Sequence, residues 1–546
     1  MRVALLVTAC FCSTVAAQPL PAESLGSPLF GSSTTPSARP VALATRLLGG
    51  LDVEWTLVFE GADGSSAPQA RLVGAEAAPD GGLFVLGSVQ TKTGGDDVLV
   101  ARLTPEGAVD WAVALDGGGT ADTPSAYDGI DQLLTDDIVV GGTSTGPDGT
   151  QRSLTARLGP DGAIGHFTLI DGVEVGPSTW GVAGASGGMV VSTREVVSND
   201  RRVWLTRLDD DGAVIWRRLL VTSYMVYPLR TFRTPDGFAV VVPREGDVPL
   251  FTTIHVAPDG AVQNSFYYFD FGCPGSYPNA ASAAADASGQ IFVGVDNAGD
   301  CQSLKFVRFD LDGSYTTEAV VGGADDVEAL AARPTGELAL AYSEAGSSRD
   351  GVLGSTSTGA VRWNAGAFFS GQLLDIKAEP NGGALACGIS HGSDAAAFAF
   401  DGDGTRAEIG LPALSGSPTF VYHTCRVQQT GDGTGYLVFS GSDGSAHTAS
   451  VSRLSGLSVT SEDGPGAETA RLVLTGSNPI VLGVPLRITL GEAATVELAD
   501  ALGRRLGTWE LREGTHALAV GAPAPGLYLV RAHFAEGAET VRVVVR

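Results

Sequence analysis

The sequence predicts an all-β chain: an eight-bladed β-propeller, with a seven-bladed ring as the alternative, followed by a small Ig-like β-sandwich. Three observations predict it. Two families of glycine-bearing turns alternate along residues 45–454 with a period of about fifty residues, the length of a four-stranded blade. An unmatched strand pattern stands at the head of that region, where a ring would need its last strand. Seven shorter alternating segments then follow a Ser- and Gly-containing linker at 455–468.

The chain of 546 residues opens with Met1-Arg2, an apolar stretch from Val3 to Phe11 and the small-residue site Val15-Ala16-Ala17. That is the order of a secretory signal peptide, 1–17, cleaved after Ala17. The apolar run is far shorter than the ~20 residues that cross a bilayer, so no transmembrane segment is expected. Residues 18–44, rich in Pro, Ser and Gly, read as a flexible lead-in.

In the body, the first turn family precedes an apolar strand. It comprises Pro79-Asp80-Gly81-Gly82, Ser186-Gly187-Gly188, Pro235-Asp236-Gly237, Ser288-Gly289, Pro334-Thr335-Gly336, Pro380-Asn381-Gly382-Gly383 and Gly431-Asp432-Gly433. Asp136-Asp137 fills the remaining place without a glycine. The second family follows a strand that usually ends in Arg-Leu, as in VARLTPEGAVDW, and carries Gly107, Gly162, Gly212, Gly260, Gly313, Gly359 and Gly404. Such turns need positive φ, which glycine adopts at no steric cost. Eight turns against seven leave one outer strand missing, and LDVEWTLVF, 51–59, supplies it by completing a last blade whose other strands come from 420–454. Closing the ring this way removes two exposed sheet edges. Inner strands such as LVGAEAAP and AASAAADA are small-residue segments that suit a crowded central channel. Trp55, Trp111, Trp216 and Trp363 share one place on the outer strand and read as fillers of the wedge between blades.

Charge narrows the partners. With 61 acidic and 34 basic side chains and a net charge of -27, nucleic acid and anionic membrane surfaces are excluded. Cys10 and Cys12 leave with the signal peptide. The remaining Cys273, Cys301, Cys387 and Cys425 are an even set for an oxidising compartment and predict two disulfides. One joins Cys273 to Cys301 on one face, and the other joins Cys387 to Cys425 on inner strands of neighbouring blades.

Candidate chemistry is sparse. Asp97, Asp200, Asp300, Asp350 and Asp394 recur before the third strand of several blades, on the face formed by B–C loops and D–A connections, where propellers usually place ligands. An Asp holding its own turn explains them more simply. The Asp310-Leu311-Asp312-Gly313 and Asp401-Gly402-Asp403-Gly404 turns raise calcium, but an EF-hand-type loop needs further oxygen ligands, so the turn reading is preferred and no cofactor is expected. Of the histidines, His166, His255, His391, His423, His447, His516 and His533, none is paired at metal-ligand spacing. His391 and His423, from adjacent blades, come nearest to a site. HExxH, GxSxG and Walker patterns are missing. No catalytic, cofactor-binding or metal residue is therefore assigned. The leading reading is a binding or adhesion module for an extracellular protein or glycan. The alternatives are an extracellular hydrolase or lyase acting on polysaccharide or a related polymer, and a structural scaffold. Carboxylates, His or Arg converging in a concave pocket would favour catalysis, and a flat acidic face would favour binding.

The repeat, with its R-L-x-x-x-G-x-x-x-W pattern, resembles the bacterial secreted β-propeller repeat proteins, a resemblance that implies the fold and leaves function open. The C-terminal unit, 469–546, runs through ARLVLTG, VPLRITL, TVELAD, RRLGTWEL, THALAVG, LYLVRAHF and TVRVVVR. Asn478-Pro479, then Asp500 with Gly503-Arg504, then Gly526, Tyr528 and Arg531, and a terminal basic strand follow in order. By these marks it resembles the type A C-terminal sorting domain of type IX secretion in Bacteroidetes-like bacteria. The resemblance implies Sec export to the periplasm, then passage across the outer membrane through the type IX machinery. It places the mature protein outside the cell, either free or on the outer-membrane surface.

Overall fold

The computed structural model describes residues 38–41, 52–59, most of 70–455 and the strands between 472 and 545, several short connecting segments excepted. Ala17, Cys273, Cys301, Asp300, Asp394, His391, Asn478, Pro479, Gly503 and Arg504 lie outside the described residues. Every described regular element is a β-strand, so none is a helix long and apolar enough to cross a membrane. The chain divides into two compact units, Met1–Val459 and Thr460–Arg546.

The first unit is a β-propeller. Strands Ala70–Ala77, Leu83–Gln90, Asp96–Leu103 and Val109–Leu115 pair in sequence order into an antiparallel sheet. The next sheet has Ile138–Thr145, Gln151–Leu158 and Ile164–Ile170, and its inner edge is split into Ala121–Pro124 and Ile130–Gln132. Four-stranded sheets then follow from Ser178–Ala185 to Val214–Ser223, from Arg230–Thr234 to Val262–Tyr268, and from Ala280–Ala285 to Tyr315–Gly322. The 18-residue strand Val361–Ala378 serves two sheets, pairing with Arg349–Ser355 through its first half and with Ala384–Ser390 through its second. In the last sheet Asp52–Phe59 pairs with His447–Ser455, from Asp52 opposite Ser455 to Phe59 opposite Ala449. Ala38–Val41 adds a fifth strand beyond it.

The turns explain the repeat. Gly107 N–H donates to Thr104 O at 3.0 Å and Thr104 N–H to Ala108 O at 2.9 Å, a type I turn closed by a bulge residue at φ 86°. Asp136 meets the same requirement in the first family without being glycine. It takes φ 67°, and Asp is among the few residues that tolerate the left-handed region.

The Arg-Leu…Trp pattern has a mechanical reason. Arg102 stands opposite Trp111 across the third and fourth strands, and Arg207 opposite Trp216. Both members of each pair reach the turn of the next sheet. Arg102 Nη1 and Trp111 Nε1 donate to Pro160 O at 3.1 and 2.8 Å, and Arg207 Nη1 and Trp216 Nε1 to Pro258 O at 2.5 and 2.9 Å. The ring lies against that turn's glycine, so a Cβ on Gly260 would sit 2.7 Å from Trp216. In the second sheet His166 takes the Trp place, opposite Arg157, with Nδ1 3.2 Å from Asp210 O. Arg453 carries the clasp from the closing sheet to the first, donating to Pro105 O at 2.9 Å. Trp111 and Trp216 thus fill the wedge between sheets and also bolt their sheets to the next.

Apolar side chains fill the interfaces, as where Leu57, Phe59, Val438 and Val451 of the closing sheet meet Leu72, Leu83 and Val85 of the first. A disulfide joins Cys387 to Cys425. Cys425 is on an inner strand as expected, but Cys387 lies one strand further out, on Ala384–Ser390. The pairing register sets it there, since Cys387 stands opposite Asp375 of the inner segment.

In the second unit the described strands form two antiparallel sheets. One has the order Leu472–Leu474, Leu486–Leu490, Gly514–Leu518, and the other Arg505–Leu511, Ala494–Asp500, Gly526–Phe534, Gly537–Val545. They share a core of Ile488, Leu490, Val496, Leu518, Val530 and Phe534. Asp500 stands opposite Tyr528, Gly526 opposite Val545, and Arg531 is exposed.

Candidate functional site

The inner strands bulge at one recurring place. Register slips between Leu72 and Gly74, Thr179 and Gly181, and Leu373 and Asp375, and a bulge interrupts the ladder and leaves backbone groups to be paired elsewhere. The preceding sheet supplies the partner. Leu72 N–H donates to Ser440 Oγ at 2.6 Å, Thr179 N–H to Thr143 Oγ1 at 3.0 Å, and Leu373 N–H to Asp350 Oδ2 at 2.6 Å. Asp350, one of the recurrent aspartates, is therefore a buried cap between sheets. Burial above all, then the charges of Glu328 and Asp326, raises its pKa to about 7 against the opposing Leu373 hydrogen bond. Glu328, also pushed up mainly by burial, accepts from Gln372 Nε2 at 3.0 Å.

Asp97 has different company. It starts the strand Asp96–Leu103 and meets Asp116, from the connection after Val109–Leu115, and Asp122, on Ala121–Pro124. One carboxylate oxygen from each lies within 4.8 Å of the others. Asp116 is exposed and Asp122 is 1% exposed. Burial first, then the charges of Asp116, Asp122 and Asp96, raises Asp97 to about 7. Asp122 Oδ2 accepts the Gly117 amide at 2.5 Å, and Gly118 N–H donates to Asp116 Oδ1 at 2.6 Å. The connection packs so closely that a Cβ on Gly117 would fall 2.5 Å from Ser144 Oγ. These three are the acids that stand close enough together to hold a metal ion among the described residues. Asp200, by contrast, is exposed at the start of its strand.

The Asp401-Gly402-Asp403-Gly404 segment behaves as a turn, whereas Leu311, Asp312 and Gly313 lie outside the described residues. Asp401 Oδ1 accepts the amides of Asp403 and Thr405 at 2.9 and 2.7 Å, and Asp310 accepts from Gln290 Nε2 at 2.5 Å and Ser314 Oγ at 3.0 Å. His423 Nε2 lies 2.7 Å from Ser442 Oγ, and its ring neighbour is His447, with centroids 6.3 Å apart. His166 and His255 are buried away from the channel, and burial lowers the pKa of both.

At the centre, the inner strands line a cavity of about 260 Å³ with Glu76, Arg230, Glu328, Asp375, Lys377 and Arg426. Several of its polar groups are committed to neighbouring sheets. Arg230 Nη1 donates to Ala283 O at 3.0 Å, Val427 N–H to Asp375 Oδ2 at 2.9 Å, and Gln428 Nε2 to Ala75 O. Sequence reasoning missed this set because the small residues of the inner strands dominate their pattern. Polar residues spaced two apart, such as Asp375 and Lys377 or Arg426 and Gln428, were the available signal.

A family described as a domain of unknown function (DUF5122) beta-propeller matches residues 136–164. No curated protein matches the chain. Among solved structures, a puromycin hydrolase variant complexed with PGG is similar at 15% identity and TM-score 0.44, over 68% of this chain and 58% of that one. The chain thus spans little more than half the length of that hydrolase. The dihydro-heme d1 dehydrogenase NirN gives 13% identity and TM-score 0.44 over 73% and 78%. PorZ, a surface component of the type IX secretion system of Porphyromonas gingivalis, gives 12% identity and TM-score 0.25 over 92% and 86%. Sheet order, turns and the family match together place this chain in the class of β-propeller proteins.

Proposed function

We propose that the chain is a secreted, eight-bladed β-propeller that acts as a binding or adhesion module, carried through type IX secretion by a β-sandwich at 469–546. Support for eight blades comes from the sheet order, in which strand 52–59 completes the last set of four. Support for the export route comes from the ordered motifs from Asn478 to Arg531 and the signal peptide ahead of Ala17. The observation that carries the binding reading is the channel cavity. It is concave and mixed in charge, yet its Arg230, Asp375 and Gln428 are tied to main chain of adjacent sheets, and no histidine stands among its described lining residues. Fixed donors and acceptors of both signs suit recognition of a polar ligand such as a glycan or a peptide segment more than proton transfer.

The hydrolase or lyase reading has one observation in its favour: Glu328 and Asp350 both have raised pKa, and the charge of Glu328 contributes to the shift of Asp350. A glycan and polymer array on the mature chain separates the two. The binding reading expects a retained hit that is recovered intact and is bound at least tenfold more weakly by Arg426→Ala. Turnover of that hit by the native chain, lost in Glu328→Gln, would sink it. Undiminished export after deletion of 469–546 would sink the sorting assignment.

A further inference from the structure

We infer that Asp97, Asp116 and Asp122 form a binding site for one hard divalent cation of the calcium class, at the junction of the first and second sheets. All three donors are carboxylate oxygens, the ligand type such ions select. Two oxygens on opposite sides of a calcium ion, each about 2.4 Å away, stand about 4.8 Å apart, so the three fit within one coordination sphere.

A second observation points to a missing ligand. Asp122 is 1% exposed; its Oδ2 takes the Gly117 amide, and its Oδ1 is buried with no hydrogen bond of acceptable geometry, burial pushing its pKa up against the smaller downward pull of the nearby Ser144 hydroxyl and the Gly117 amide. A buried acceptor left unsatisfied costs about 1–3 kcal/mol, more when it is charged. Among the described residues, the charges that act on Asp97 are Asp116, Asp122 and Asp96, all acidic. A bound cation supplies a partner for Oδ1 and a positive charge among the three acids. It would also fasten the upstream half of the split inner edge, Ala121–Pro124, to the third strand of the preceding sheet.

Calorimetric titration of the chelator-stripped mature chain with calcium chloride tests the site. One ion per chain is expected, with half-saturation at or below about 1 mM, the range of extracellular calcium modules. The melting temperature should rise with calcium, and magnesium should bind at least tenfold more weakly. Asp116→Asn, at an exposed position, should keep the ion-free melting temperature and bind calcium at least tenfold more weakly, with Asp97→Asn as the second variant. Absence of stoichiometric binding up to about 10 mM, equal affinity for magnesium, or native affinity in both variants would each overturn the inference.

Discussion

Replacing Gly260 by alanine tests the clasp that joins one sheet to the next. At φ 85° an L-residue carries a left-handed penalty of about 1–2 kcal/mol whatever surrounds it. The new methyl would also sit 2.7 Å from Trp216 Cδ2, against an ordinary carbon contact of about 3.5–4.0 Å, so the ring must retreat by about 1 Å. Retreat stretches the 2.9 Å bond from Trp216 Nε1 to Pro258 O, worth about 1 kcal/mol net, and adds packing strain of about 1 kcal/mol. The expected cost of Gly260→Ala is therefore about 3–4 kcal/mol. In a Trp216→Ala background only the backbone penalty remains, about 1–2 kcal/mol. A double-mutant cycle by urea denaturation, followed by far-ultraviolet circular dichroism, should give a coupling of about 2 kcal/mol. Equal cost in the two backgrounds would refute the contact and reduce the glycine to its turn alone.

Two further outcomes follow from the same geometry. Cys387 and Cys425 close a separation of 38 residues, for which chain-entropy reasoning gives up to about 4 kcal/mol, so the Cys387→Ala, Cys425→Ala double variant should lower the urea midpoint; an unchanged midpoint would show that the packed interface alone holds those sheets. Asp350 holds its proton in the folded chain up to about pH 7 but releases it near 3.8 when unfolded. The folded state thus binds more protons between those values, and stability falls as pH rises through the window. Against Asp350→Asn the native chain should lose on the order of 2 kcal/mol between about pH 4 and pH 8, and parallel stability curves would contradict the assignment.

Much of the architecture was legible because turn chemistry is local. Gly107 and its counterparts announce themselves within five residues, and the nine-residue step from Arg102 to Trp111 and from Arg207 to Trp216 marks the clasp on those two sheets. His166 at the same step showed only as an isolated histidine, since its role depends on a turn in the next sheet. Asp136 stood in line for a turn glycine, and only the backbone reveals that it adopts the glycine conformation. The acids illustrate the limit. Asp97 was visible as a recurrent residue, but Asp116 and Asp122 enter its site from a connection and a neighbouring inner strand. Their combined effect depends on burial and mutual repulsion, which spacing does not encode. The channel set was hidden for the same reason, being gathered from inner strands about fifty residues apart.

The pairing of Asp52–Phe59 with His447–Ser455 makes completion of the ring a measure of the chain itself. The buried bond between Thr56 Oγ1 and Ser452 Oγ, at 2.8 Å, spans 396 residues, so the closing sheet cannot be finished until nearly the whole propeller exists. Contacts of such range form slowly, and until they form, strand Asp52–Phe59 and the outer edge of His447–Ser455 stay open to pairing with other chains. A body cut short anywhere before His447 would leave Asp52–Phe59 without that partner permanently. The closing sheet thus works as a length gauge, and only a chain that reaches Ser455 can cover that edge itself.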